Sequence, residues 1–243
     1  GSEMCIRDSS YLLKRYVFHE SGTLVSGIIG GLYSSTATIS VLARKSRKAS
    51  EQEATDYVAA MLLAVSMMFL RFMILILIFS REIFLSIYPY LLTMAVVAAI
   101  VAWFIHSRQK RPEDQPAETE EDDSSNPLEF KVALIFAVLF VIFTFLTHYT
   151  LVYAGTGGLN LLSFVSGFSD ITPFILNLLQ NTGSVAALII TACSMQAIIS
   201  NIMVNMFYAL FFAGKGSKLR PWILGGFGVV IACNLVLLLF FYI

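Results

Sequence analysis

The stretch GIIGGLYSSTATISVLARKSRK, from Gly27 to Lys48, contains the features that decide the fold. Apolar residues and glycines come first, a cluster of serines and threonines follows, and a short apolar segment leads into arginines and lysines. Glycines followed by hydroxyl side chains interrupt a helix and start a new one, because they permit a change of backbone direction and supply helix caps. The stretch therefore predicts a membrane helix that is broken near its middle.

The composition of the chain excludes a soluble globular domain. Hydrophobic residues make up 57% of the 243 residues and charged residues 13%, whereas about a quarter of a soluble chain is charged. Apolar runs of about 20 residues separate the charged loops, which is the length that crosses a ~30 Å hydrocarbon core. These runs are continuous rather than alternating, which excludes a membrane β-barrel. The sequence predicts an all-α, polytopic membrane bundle, and its formal net charge of zero argues against a nucleic-acid partner.

Seven apolar segments follow one another along the chain. One long polar stretch, residues 107–129, is rich in Glu, Asp, Pro and Ser and predicts a disordered acidic linker. Residues 1–9 resemble a non-native adapter or tag peptide and are set aside in predicting the fold. The segments lie at about residues 22–43, 54–80, 83–106, 130–153, 158–180, 184–213 and 219–243.

The two halves of the chain present the same features in the same order. A glycine (Gly31 or Gly167) is followed by a polar cluster, a short apolar stretch and a long apolar helix with one strongly polar residue in its middle (Arg71 or Asn201). This order predicts a duplicated three-helix unit with broken helices in segments one and five. The predicted domains are membrane repeat one at 10–106, a connecting membrane helix at 130–153 and membrane repeat two at 154–243.

The number of membrane crossings decides how the repeats are related. If all seven segments span the bilayer, the repeats are parallel; if segments one and five only re-enter, the repeats are inverted. The length of residues 22–43 favours full crossing. The face that receives the Lys and Arg residues after the first and third segments is favoured as cytoplasmic.

Polar residues inside the predicted segments are the candidates for function. A restarted helix leaves free N–H groups that need a cavity, a file of water or an anion, and nearby hydroxyls suit a dehydrated cation equally well. The alternative is a small-residue face on which two helices pack closely. Asn201 and Asn205, one turn apart, either line a hydrophilic path or form interhelical hydrogen bonds worth about 0.6 kcal/mol each.

Arg71 is the most costly of these residues. A charge at the centre of a membrane helix costs about 2.5–3.5 kcal/mol on the insertion scale, so the guanidinium must face protein and have a partner. Asp170, an acid within segment five, is the expected partner. The pair either holds the two repeats together or lines a transport path, and the two roles are compatible.

The motifs GGLYSSTAT with ARKSR, MMFLRFMILI, NPLEFKVAL, SGFSDIT and ISNIMVN together resemble the DUF4010 family, an integral membrane domain of bacteria and archaea. That domain is often fused behind an MgtC/SapB-type domain. The resemblance covers about residues 10–240 and implies a multi-pass protein of the prokaryotic inner membrane, with transport presumed and a loose link to magnesium. Asp170 is the single acid where the family tends to have two, and Asn205 stands where a lysine is common, which implies that these positions interact.

The sequence therefore predicts a channel or secondary carrier for a small ion or polar solute, with its path between the repeats at the bilayer midplane. The alternative is a non-transporting scaffold or regulatory subunit with a structural polar core. Membrane lipid, the solute and a second copy in a homodimer are the expected partners. No catalytic constellation, metal-ligand cluster or cofactor motif occurs, so no enzyme is expected. The predicted path residues are Gly31, Ser34, Ser35, Thr36, Arg71, Gly167, Asp170, Thr172, Asn201 and Asn205.

Overall fold

The computed structural model describes residues 22–47, 51–108, 128–153, 155–168, 170–180, 186–214 and 219–242. Within them every regular element is an α-helix, which confirms the predicted all-α class. The predicted adapter peptide at 1–9 and most of the predicted linker lie outside the described residues. The helices are α1 (Thr23–Lys45), α2 (Glu51–Phe79), α3 (Arg81–Ser107), α4 (Leu128–Tyr153), α5 (Gly155–Ser166), α6 (Ile171–Gln180), α7 (Ala187–Ala213) and α8 (Arg220–Tyr242).

Several helices are long and apolar enough to cross a membrane. Among the described residues these are α1, α3, α7, Thr55–Phe79 of α2 and Arg220–Phe240 of α8. The shorter apolar helices α5 and α6 correspond to the predicted fifth segment, and α5 begins three residues before its predicted start. Large apolar side chains on the long helices are exposed, for example Ile78 at 73% and Phe240 at 74%. Lipid accommodates such surface and water does not, so the chain is an integral membrane protein.

The helices divide into two compact units, and four of the long helices contribute to both. Unit one comprises the described residues within 1–71, 94–121 and 205–230. Its α2 and α3 are joined by the Ser66 hydroxyl, which donates to the Ala95 carbonyl at 2.8 Å. A Cβ added at Gly226 of α8 would lie 2.8 Å from Leu62 Cδ1, so α8 packs closely on α2.

Unit two comprises the described residues within 72–93, 122–204 and 231–243. Here α4 packs against both α5 and α6. The Asn177 amide on α6 donates to Thr144 Oγ1 on α4 at 2.8 Å, and the Tyr90 hydroxyl on α3 donates to Asn234 Oδ1 on α8. Each of these two bonds pairs polar groups on different helices, which an apolar interior favours.

The end of α7 shows how one helix terminus is stabilised in unit one. Gly214 follows the last helical residue with φ +91°, the left-handed conformation that closes many helices. Arg47, just beyond α1, donates from Nε to the Phe212 carbonyl and from Nη2 to the Phe211 carbonyl at 3.2 Å. A cation at the last carbonyls of a helix also complements its dipole.

The long helices differ in how much of their surface the protein covers. Over an apolar 18-residue stretch of each helix, 72% of the residues are buried in α7, against 28% in α1 and in α8. A helix with one covered stripe can face lipid on its other side. In contrast, α7 is covered by protein over most of its circumference.

Candidate functional site

The first interruption lies inside α1 at Ser34. Its backbone is extended (φ −157°, ψ 108°) between two helical stretches. The Ser34 hydroxyl accepts a hydrogen bond from the Ala37 amide at 3.3 Å, so Ser34 is the N-cap of the second stretch. A Cβ added at Gly30 would lie 2.5 Å from Thr38 Oγ1, a contact across the interruption that only a glycine allows.

Arg71 on α2 binds the backbone at this interruption. The carbonyls at the end of a helical stretch lose their partners in the next turn. One of them, Tyr33 O, accepts a hydrogen bond from Arg71 Nη1 at 2.8 Å. In apolar surroundings an unpaired carbonyl costs on the order of several kcal/mol. The bond from Arg71 satisfies the Tyr33 carbonyl and also gives the guanidinium a structural partner.

Two glycines bring α1 into backbone contact with α2. A Cβ added at Gly31 would lie 2.5 Å from Ala64 Cα, and one added at Gly27 would lie 2.3 Å from the Ala60 carbonyl oxygen. The new stretch of α1 then begins with Ser35, which is buried. The glycine-and-hydroxyl cluster of the sequence therefore does two things: it allows close packing before the interruption and caps the helix after it.

The second interruption separates α5 from α6 in unit two. After α5 ends at Ser166, the chain turns and α6 begins at Ile171. The exposed Asp170 accepts a hydrogen bond at Oδ1 from the Thr172 amide at 2.9 Å, so its carboxylate caps α6. An acid at this place also complements the positive end of the helix dipole.

The long helix α7 supplies donors to the backbone before this interruption. The Asn201 amide donates to the Gly167 carbonyl at 3.2 Å, and the Ser200 hydroxyl donates to the Phe164 carbonyl at 2.6 Å. A Cβ added at Gly167 would lie 2.4 Å from Ser200 Cβ, so α5 and α7 also meet in close contact. Asn201 thus binds a backbone carbonyl just after α5, as Arg71 binds a backbone carbonyl at the end of the first stretch of α1.

The two interruptions share a common spacing. Gly31 and Ala64 are 33 residues apart, and so are Gly167 and Ser200. The capping residue follows its glycine by three positions in both cases: Ser34 in α1 and Asp170 before α6. The spacing of the glycine, its contact residue and the capping residue is therefore the same in both units.

The structure brings nine of the predicted path residues together in two groups. Around the α1 interruption lie Gly31, Ser34, Ser35, Thr36 and Arg71. Around the start of α6 lie Gly167, Asp170, Thr172 and Asn201. Asn205 is fully buried in unit one.

The expected pairing of Arg71 with Asp170 stays a prediction. Within its own unit each side chain has a backbone partner, the Tyr33 carbonyl for Arg71 and the Thr172 amide for Asp170. These partners are backbone groups exposed by an interruption, so residue identities alone do not reveal them.

Sequence reasoning missed a set of neutral polar side chains between α5 and α7. Ser163 Oγ lies 2.7 Å from the Asn160 carbonyl oxygen and 2.8 Å from Gln196 Oε1. The Cys193 thiol lies 3.4 Å from Asn160 Oδ1. The spacing of Cys193, Gln196 and Ser200 along one helix face is the signal that predicts such a row.

Comparison with known proteins places the chain in a family. Its several apolar helices define an integral membrane protein. The sequence model of the family described as "Domain of unknown function (DUF4010)" matches residues 4–213, and the chain belongs to this family. A protein of Aquifex aeolicus (strain VF5), described as an uncharacterized protein, is 24% identical over 224 residues, which cover 90% of this chain and 94% of that relative. A search of the solved structures found no match.

Proposed function

We propose that the chain is a channel or secondary carrier that moves a small ion or polar solute across a prokaryotic inner membrane. The observation that carries this proposal is the pair of interruptions. At each one the new helix start is capped, and a polar side chain donates a hydrogen bond to a backbone carbonyl just before it. Discontinuous membrane helices form the solute sites of many secondary transporters, because their ends present backbone polar groups at membrane depth.

The shared spacing of the two interruptions supports a duplicated architecture for this transporter. In the proposal, two three-helix repeats are joined by α4, and the solute path runs between the repeats near the bilayer midplane. Duplicated units with broken helices in equivalent positions are typical of secondary transporters. The 33-residue spacing at Gly31 and at Gly167 is what two copies of one unit would retain.

The charges at the two interruptions differ, and this difference bears on the solute. In unit one the Arg71 guanidinium binds a carbonyl at the end of the first helical stretch, just before the new stretch begins, and the guanidinium and the new helix start both contribute positive potential. In unit two the Asp170 carboxylate already neutralises the start of α6. The first interruption therefore favours an anion or the negative end of a dipole, and the second does not.

Flux measurements in proteoliposomes test the proposal. We expect transport of an ion or a polar solute by the purified protein. The flux should fall at least about fivefold in Arg71→Ala, which removes a hydrogen bond, and in Asp170→Asn, which removes the charge and keeps the helix cap. Arg81→Ala is the matched control, because Arg81 is an exposed arginine at the start of α3. Unchanged flux in both variants removes these side chains from the path.

The second candidate function is a scaffold or regulatory subunit. It is favoured by the fact that Arg71 and Asn201 both bind backbone carbonyls, a structural role. Single cysteines at Ser35, Asp170 and Asn201 on a cysteine-free background distinguish the two functions. Protection of all three from water-soluble thiol reagents supports the scaffold, and labelling of the buried position 35 or 201 supports a hydrated path.

A further inference from the structure

A row of neutral polar side chains connects α5 and α7 in unit two and leads to the interruption after α5. We define this polar row as Asn160, Ser163, Cys193, Gln196 and Ser200. Ser163, Cys193 and Ser200 are at most 1% exposed. At its end, Ser200 binds the Phe164 carbonyl in the last turn of α5, and its neighbour Asn201 binds the Gly167 carbonyl just after α5.

The polar row is not required for the helix contact that it accompanies. At the same 33-residue spacing, α1 and α2 pack through Gly27 on Ala60 and Gly31 on Ala64, using only small residues. At the place of Gly27 and Ala60, unit two has Ser163 and Gln196. A buried hydroxyl or amide is tolerated only with hydrogen bonds and costs about 1–3 kcal/mol when it loses them. Two residues that only had to pack closely would not need a hydroxyl, an amide or their hydrogen bonds.

The hydrogen bonds of the row can change partners without large movements. The Ser163 hydroxyl carries one proton and has two acceptors within 2.8 Å, the Asn160 carbonyl and Gln196 Oε1. Rotation about its C–O bond switches the proton from one to the other. A solute that donates and accepts hydrogen bonds fits such groups.

The helices of the row carry no charge. The α5 sequence GTGGLNLLSFVS and the whole of α7 lack Asp, Glu, Lys, Arg and His. An ion entering between them would lose its hydration without meeting a countercharge, which is strongly unfavourable in a medium of low polarity. The row therefore selects for an uncharged solute.

We propose that the polar row conducts water or a small uncharged solute that both donates and accepts hydrogen bonds, such as urea or glycerol. This inference rests on the proposed transport function and adds a path for uncharged solutes inside repeat two, separate from the one proposed between the repeats. The path follows the α5–α7 interface from Asn160 to the carbonyls before the interruption. The amides and hydroxyls of the row replace, one after another, the hydrogen bonds that the solute made with water.

Stopped-flow light scattering on proteoliposomes tests the solute class. We expect water, urea or glycerol permeability well above that of protein-free vesicles, and a drop of about fivefold in Ser163→Ala and in Gln196→Met. Thr191→Val is the matched control, because the Thr191 hydroxyl is equally buried on α7 but bonds the Ala187 carbonyl of its own helix. Ion flux without permeability to any uncharged solute overturns the inference and keeps the transport function. Absence of all flux overturns both.

The native Cys193 provides a second test that does not depend on a substitution in the row. In a Cys5→Ser, Cys233→Ser protein, a water-soluble mercurial should react with Cys193 in the folded state and reduce the permeability. Excess thiol should restore the permeability. A Cys193→Ser protein that keeps Cys233 should be insensitive. If Cys193 reacts only after denaturation in detergent, the row is not hydrated and the inference is wrong.

Discussion

Single side chains in this protein bind the backbone groups that a helix interruption leaves open. Arg71 donates to the Tyr33 carbonyl, and Asn201 donates to the Gly167 carbonyl. Both residues stand out in the sequence as strongly polar points within long apolar helices. Their partners do not stand out, because every residue has a carbonyl and only the folded backbone decides which ones lose their helical bonds.

Gly31→Ala should destabilise the protein. The new Cβ would lie 2.5 Å from Ala64 Cα, and backbone cannot move aside as a flexible side chain can. We expect a loss of about 1–3 kcal/mol, measured as a lower melting temperature in detergent. Gly225→Ala is the control, because nothing lies within 4 Å of its added Cβ. Equal melting temperatures for the two variants would mean that α1 and α2 are not in close contact at Gly31.

The two roles of Asp170 can be separated by two substitutions. Asn caps a helix about as well as Asp, whereas Ala does not, so Asp170→Ala should lose about 1 kcal/mol of stability and Asp170→Asn very little. If the carboxylate charge also serves transport, Asp170→Asn lowers the flux of stable protein. A variant with normal stability and normal flux would assign the carboxylate to capping alone.

Helical elements and their interruptions follow from different signals. The apolar runs predict the helices because the membrane fixes their length, and the predicted segments agree with the helix bounds to within a few residues over most of the described chain. The cluster of glycines and hydroxyls marks the place of the Ser34 interruption. The polar row was missed: the spacing of its α7 residues marks one face of that helix, but their pairing with Asn160 and Ser163 depends on the register between α5 and α7, which the sequence does not contain.

The C-terminus of α7 gives a prediction for a single element. Arg47→Ala removes the donors to the Phe211 and Phe212 carbonyls and should fray the last turn of α7. We expect a loss of about 1 kcal/mol, since the bonds are charge-assisted but exposed. Faster hydrogen–deuterium exchange in the last turn of α7 measures it. Lys45→Ala, an exposed neighbour of the same charge, should leave that exchange unchanged.

The two compact units of the molecule do not follow the order of the chain. Similarity between the halves can be read along the sequence. The two compact units cannot, because each is assembled from three separate stretches of chain and four long helices contribute to both. Which helix pairs meet is decided by non-local contacts such as Ser66 with Ala95 and Asn177 with Thr144.

Reporter fusions can determine whether α5 and α6 together cross the membrane. A reporter placed after residue 108 and another after residue 243 are separated by α4, the α5–α6 pair, α7 and α8. We expect both reporters to be cytoplasmic, because full crossing by α5–α6 makes an even number of crossings and the positive-inside rule favours that face. Reporters on opposite sides would show that α5 and α6 re-enter.

The extensive burial of α7 has a consequence for biogenesis. Protein covers 72% of its apolar stretch, and that stretch includes the amides of Gln196 and Asn201. The partners of these amides lie on and just after α5, so α7 needs contact with α5 before its polar groups can face apolar surroundings. We therefore expect α7 to enter the bilayer together with the helices already synthesised, so cells with impaired insertase activity should degrade this chain preferentially.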